Sequence, residues 1–162
     1  MKVRDVMVGP AACCTPYTNL GEAAEIMWKE NCGILPIVNI QNKVIGVVTD
    51  RDLFIALATR NRLPKELTVA NVTTGHVYSA KPDDDIHMAL AKMAEGRVRR
   101  LPVIDHAGKV VGILSMDDIV LDVQMGEHPE LSSQDVVHTL KQLYGTRLPQ
   151  VMRKKVGAAV AA

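Results

Sequence analysis

Apolar positions recur along this chain with two periods, and the order in which those periods alternate is repeated. Leu20, Ala23, Ala24 and Met27 fall at i, i+3, i+4 and i+7, which predicts an amphipathic helix over about 19–30. Asn31 and Gly33 end it. Two short apolar runs follow, at about 34–38 and 44–49, joined by a polar turn containing Gln41 and Asn42, and they read as a hairpin. A second helix is expected over about 51–60, with Leu53, Ala56 and Leu57 facing inward. Upstream, Gly9-Pro10 breaks the pattern and residues 11–14 are expected to form a short strand.

The same succession returns downstream. Residues 69–72 lead in, Pro82 and Asp83 open a helix over about 84–95 that stops at Gly96, apolar runs flank Asp105-His106-Ala107-Gly108, and a helix over about 116–125 stops at Gly126. Laying residues 2–52 on 68–118, a shift of 66 positions, gives twelve identities: Val3, Val6, Gly9, Pro16, Ala23, Met27, Leu35, Pro36, Lys43, Val44, Gly46 and Asp52. Ordinary residue frequencies would give about three. The chain is therefore a tandem duplication. Its fold class is α+β, two strand-helix-strand-strand-helix repeats related by a pseudo-two-fold axis, over 1–61 and 68–126, with a connector at 62–67 and a C-terminal helix and basic tail at 127–162. Each repeat alone would bury little surface, so the two are expected to share one core.

In that last segment Ser132-Ser133 reads as an N-cap. Val136, Val137, Leu140, Leu143 and Tyr144 then form an apolar stripe ended by Gly145. The helix should pack on the repeats or on another subunit. Arg147, Arg153, Lys154 and Lys155 make the tail basic, but without interleaved aromatics they read as a solvated end rather than a nucleic-acid or lipid site.

Composition narrows the function classes. Hydrophobic residues make up 48% and charged residues 23%, with a net charge of +1, which describes a globular chain with no global attraction to nucleic acid. One Trp, one Phe and three Tyr are too few for a base-stacking platform. MKVRDVMV lacks an apolar signal core and no run spans a bilayer, so a soluble, cytoplasmic protein without membrane contact is expected. Cys13, Cys14 and Cys32 form no C-x-x-C pair and read as small apolar residues rather than redox or metal thiols. The five histidines lack metal-ligand spacing, and no phosphate-binding glycine loop is present. Neither a metal, a catalytic cofactor nor an enzymatic activity is expected.

Chemistry concentrates where each hairpin ends. Thr49-x-x-Asp52 and Ser115-x-x-Asp118 are capping boxes, which satisfy helix-terminal N–H groups without any ligand. The same spacing also places a hydroxyl at a helix N-terminus, which favours an anion, and a carboxylate able to accept both hydroxyls of a ribose. Arg99-Arg100, just before the strand that pairs with the one ending at Ser115, tips the balance toward a ligand: two adjacent guanidinium groups are costly to order without an anionic partner.

The duplicated pattern L-P-I/V-V/I, turn, K-V-x-G-x-x-T/S-x-x-D resembles the cystathionine-β-synthase (CBS) domain, and the tandem resembles a CBS pair, or Bateman module, over about residues 1–125. The resemblance implies an adenosine ligand in a cleft between the repeats. Carried over, Asp118 would hold ribose, Ser115, Arg100 and Arg99 phosphate, and Thr18, Ala23, Ile34, Leu35 and Pro36 the base. A second site would use Thr49 and Asp52, with Asp84, Leu101 and Pro102 opposite. There Gly33 and Ile34 replace the two arginines, so it is expected to be weaker, to prefer fewer phosphates, or to be empty. The resemblance implies a stand-alone nucleotide sensor that signals to a separate, unidentified protein, with AMP preferred over ADP, ATP, NAD or S-adenosylmethionine. It also implies a homodimer through the repeats. The alternative is a structural dimerisation module without a physiological ligand.

Overall fold

The computed structural model describes residues 1–73, 76–126 and 128–145; the tail arginines and lysines at 147 and 153–155 lie outside them. The first repeat comprises α1 (Leu20–Lys29), β1 (Ile34–Val38), β2 (Val44–Thr49) and α2 (Asp50–Arg60). The second comprises α3 (Ile86–Gly96), β3 (Arg100–Ile104), β4 (Val110–Ser115) and α4 (Met116–Met125), and α5 (Ser133–Tyr144) follows. The hairpins are antiparallel and share one register displaced by the repeat offset. Ile34 faces Thr49 as Arg100 faces Ser115, and each ladder shifts once, at Ile37/Val38 and at Val103/Ile104.

The leading strand of each repeat is reduced to a single parallel bridge, Cys14 to Ile37 and Ala80 to Val103. Residues 11–14 thus form no strand. The opening of α3 also lies later than Pro82: Asp85 is its N-cap and accepts the His87 amide at 2.8 Å, while the Lys81 amide donates to Asp84 in the preceding turn.

The expected single core is instead two, and each contains a piece of the other repeat. Val3, fully buried, packs in a cluster with Ile86, Met93, Leu101, Leu114 and Ile119. Leu67 and Val69 pack with Leu20, Met27, Leu35, Val48 and Leu53. The leading segments cross over: the Val3 amide donates to Asp84 O at 2.9 Å, and the Val69 amide to Thr18 O at 2.8 Å. Val8 and Ile113 then exchange two backbone hydrogen bonds, 2.9 and 2.8 Å, across an approach that only glycine permits. A Cβ on Gly9 would stand 2.6 Å from Val111 O, and one on Gly112 2.7 Å from Val8 O.

Helix α5 starts at Ser132, whose side chain accepts the Asp135 amide. It covers α3 and α4, adding Val136 and Leu143 to the second core. Before it, His128 Nδ1 meets Asp122 Oδ1 at 2.7 Å and the N-terminal ammonium meets Glu130 at 3.0 Å. These contacts tie the segment that leads into α5 to α4 and to the start of the chain.

Candidate functional site: two clefts between the repeats

Both Thr/Ser-x-x-Asp steps are capping boxes. Asp52 Oδ2 accepts from the Thr49 amide at 2.9 Å and the Thr49 hydroxyl at 2.7 Å. Asp118 Oδ2 accepts from the Ser115 amide at 3.1 Å and the Ser115 hydroxyl at 2.5 Å. One oxygen of each carboxylate is thereby committed to the helix start, and the other takes no part in the box. Ser132 and Asp135 repeat this geometry, 3.0 and 2.6 Å, at the exposed start of α5. The box alone makes no site; the walls around it do.

Those walls come from the opposite repeat. One cleft, about 410 Å³, sets Thr49 and Asp52 against the turn from α3 into β3, with Arg97, Arg99 and Arg100, and against His76 and Tyr78. The two rings meet edge to face, centroids 4.7 Å apart. The other cleft, about 460 Å³, sets Ser115 and Asp118 against the turn from α1 into β1, with Glu30, Cys32 and Ile34, and against Pro10, Ala11 and Ala12. The two are the same construction turned about the pseudo-two-fold axis. Residues 3–59 and 69–124 each match the CBS domain.

The chain belongs to the CBS domain family. An uncharacterized protein of Methanopyrus kandleri, MK0525, is 32% identical over 117 residues, 72% of this chain; the chain spans 57% of that relative's length. The CBS domain-containing protein YhcV of Bacillus subtilis is 28% identical over 136 residues, 84% of this chain and 95% of YhcV. Among solved structures, the CBS domain pair of protein MJ0100, in complex with 5′-methylthioadenosine and S-adenosylmethionine, superposes with a TM-score of 0.71. It is 28% identical and covers 78% of this chain and 98% of that one.

Within this CBS pair the residues expected in one site are divided. Ile34, Arg100, Ser115 and Asp118 do line one cleft. Arg99 instead lines the other, with Thr49, Asp52 and Pro102. Ala23 and Leu35 are fully buried in the first core, because they lie on the inward faces of α1 and β1, and buried Pro36 follows on the same strand. Thr18 is engaged in a turn, its hydroxyl accepting from the Thr15 amide at 3.0 Å. On the other side Leu101 is fully buried, and Asp84 is drawn off by Lys92 at 2.8 Å. That ion pair and the Lys81 amide hold the Asp84 carboxyl below its usual range against the opposing effect of burial, which is the largest. None of these six residues lines either cleft.

The charge asymmetry expected from Gly33 and Ile34 is therefore reversed. The Thr49/Asp52 cleft holds Arg51, Arg97, Arg99 and Arg100 against Asp50 and Asp52. The Ser115/Asp118 cleft holds Arg100 alone against Glu30, Asp117 and Asp118. Sequence reasoning missed His76 and Tyr78 as wall residues, and equally Pro10 and Ala12, their equivalents at the repeat offset.

The surroundings of the thiols favour the protonated form. Burial pushes Cys13 and Cys32 up, and pushes Cys14 up to about 12 with a smaller contribution from Cys13. Among the described residues no group of three or more His, Cys, Asp or Glu could hold a metal ion, and no helix is long and apolar enough to cross a membrane.

Proposed function

We propose that this CBS pair is a regulatory module that binds an adenine nucleotide, AMP by preference, between its repeats and passes the bound state to a separate protein. The observation that carries the reading is the Thr49/Asp52 cleft. Its four arginines exceed its two aspartates by two charges, which matches one phosphate monoester at −1.5 to −2. ADP and ATP bring more negative charge than that surplus offsets. Asp52 lines the cleft with one oxygen outside its capping box, which suits a ribose diol, and the His76/Tyr78 pair offers an aromatic wall for a base. The complex of the MJ0100 pair with two adenosine compounds supports adenosine as the shared element.

Isothermal titration with AMP tests this. Hydrogen bonds to charged groups are worth about 1.5–3 kcal/mol, so Asp52→Asn should weaken AMP by roughly ten- to a hundredfold. Asp135→Asn, which alters the same kind of box outside the clefts, should leave it unchanged. Equal affinities for wild type and Asp52→Asn would remove Asp52 from the site.

A second reading concerns assembly. The α1/α2 face carries Trp28 at 88% exposure and Phe54 at 71%, along a groove with Ala24, Leu53 and Leu57. On the second repeat α5 packs against α3 and α4 and covers part of the corresponding face. This favours a homodimer that uses the first repeat only, since exposed apolar patches mark association surfaces.

A further inference from the structure

We infer that Arg100 couples the two clefts: phosphate bound beside Thr49 and Asp52 raises the affinity of the Ser115/Asp118 cleft for a positively charged adenosine compound, and the reverse. The inference rests on the nucleotide-binding reading above. It follows from where one guanidinium group stands. Arg100 lines both clefts. Its Nη2 lies 3.5 Å from Asp117 Oδ2 in one. Its Nη1 lies 3.6 Å from the point that a Cβ on Gly33 would occupy, and Asp50 Oδ2 of the other cleft lies 3.0 Å from that same point. The side chain is 31% exposed, suspended between carboxylates of both sites.

A single cation cannot compensate both clefts at once. Phosphate beside Thr49 competes with Asp117 for Arg100, since charge-assisted bonds to phosphate are the strong ones. As Arg100 turns toward it, Glu30, Asp117 and Asp118 lose the one cation among the described residues lining that cleft, and a cationic ligand gains there. Conversely, a cation in that cleft repels Arg100 toward the phosphate side. Linkage requires the two effects to be equal. A second AMP in the acidic cleft is disfavoured by the same displacement.

The test is calorimetric, on the full chain. AMP is titrated with and without saturating S-adenosylmethionine, whose sulfonium and net positive charge make it the cationic probe. The reverse titration follows, and 5′-methylthioadenosine serves as the uncharged control. The expected result is a gain of at least about fivefold, the same in both directions, with none from 5′-methylthioadenosine and none in Arg100→Gln. The quantity read in that variant is the coupling factor, not the affinity. Independent or mutually exclusive binding of AMP and S-adenosylmethionine overturns the coupling while the nucleotide reading stands. So does an equal gain from the uncharged control, or a gain that survives in Arg100→Gln. Absence of binding by all three compounds overturns both.

Discussion

Gly96 stands against the ring of Tyr78 so closely that a Cβ built on it would lie 2.5 Å from Cδ2. The absence of a side chain at the end of α3 is thus what allows Tyr78 to line the Thr49/Asp52 cleft. Alanine normally favours a helix over glycine by about 1 kcal/mol, so Gly96→Ala should stabilise the protein unless the ring obstructs it. We expect a lower melting temperature for Gly96→Ala, and a higher one when the same change is made in Tyr78→Ala. A double-mutant cycle measures the difference, and additive effects would show that the contact does not constrain the tyrosine.

The crossed leaders make a distinctive stability prediction. Val3 is fully buried among α3, β3, β4 and α4 side chains, so Val3→Ala should cost on the order of 2 kcal/mol. Hydrogen exchange should show the loss first in the second repeat, although the substitution lies at the start of the first. Val69→Ala should loosen α1 and the β1–β2 hairpin instead. Loosening confined to the repeat that carries the substitution in sequence would contradict the crossover.

The clamp on α5 should weaken as pH rises. The Asp122 hydrogen bond raises the His128 pKa above its ordinary 6.5, outweighing burial, with Asp122, Glu130 and Asp5 adding charge attraction. A group whose pKa is raised on folding stabilises fully below its unfolded value and ceases to do so above the folded one. The melting-temperature difference between wild type and His128→Gln should therefore be largest below pH 6.5 and shrink toward alkaline pH. The N-terminal ammonium, raised by its hydrogen bond to Glu130, titrates in both proteins. A difference that is constant with pH would mean that His128 acts by packing alone.

Light scattering on a size-exclusion column tests the assembly reading. Wild type should run as a dimer and Phe54→Glu as a monomer, whereas Val120→Glu, at the equivalent position of the second repeat, should remain dimeric. A monomeric wild type would leave the α1/α2 face for another protein.

The hairpins and their helices were legible because each is written twice. A pattern that recurs at a fixed offset fixes the shared register of Ile34 opposite Thr49 and Arg100 opposite Ser115. The clefts were only half legible, since an offset tells which residues are equivalent but not which of them meet across a pseudo-two-fold axis. Arg99 and Arg100 are neighbours in sequence and both line the Thr49/Asp52 cleft, yet of the two Arg100 alone also reaches the Ser115 side: Arg100 opens β3 opposite Ser115, whereas Arg99 lies in the bend before it. The crossover of Val3 and Val69 left no local trace, because a buried valine in a short turn reads the same whichever core receives it.

That crossover also says what kind of object the duplication joined. A lone repeat folded in this way would lack the apolar plug that its own leader supplies to someone else, and two copies would satisfy each other by trading leaders. The 162-residue chain is such a traded pair tied together through the stretch around Pro64. Cutting it there should leave two fragments that find one another again, each holding the piece that the other needs to close.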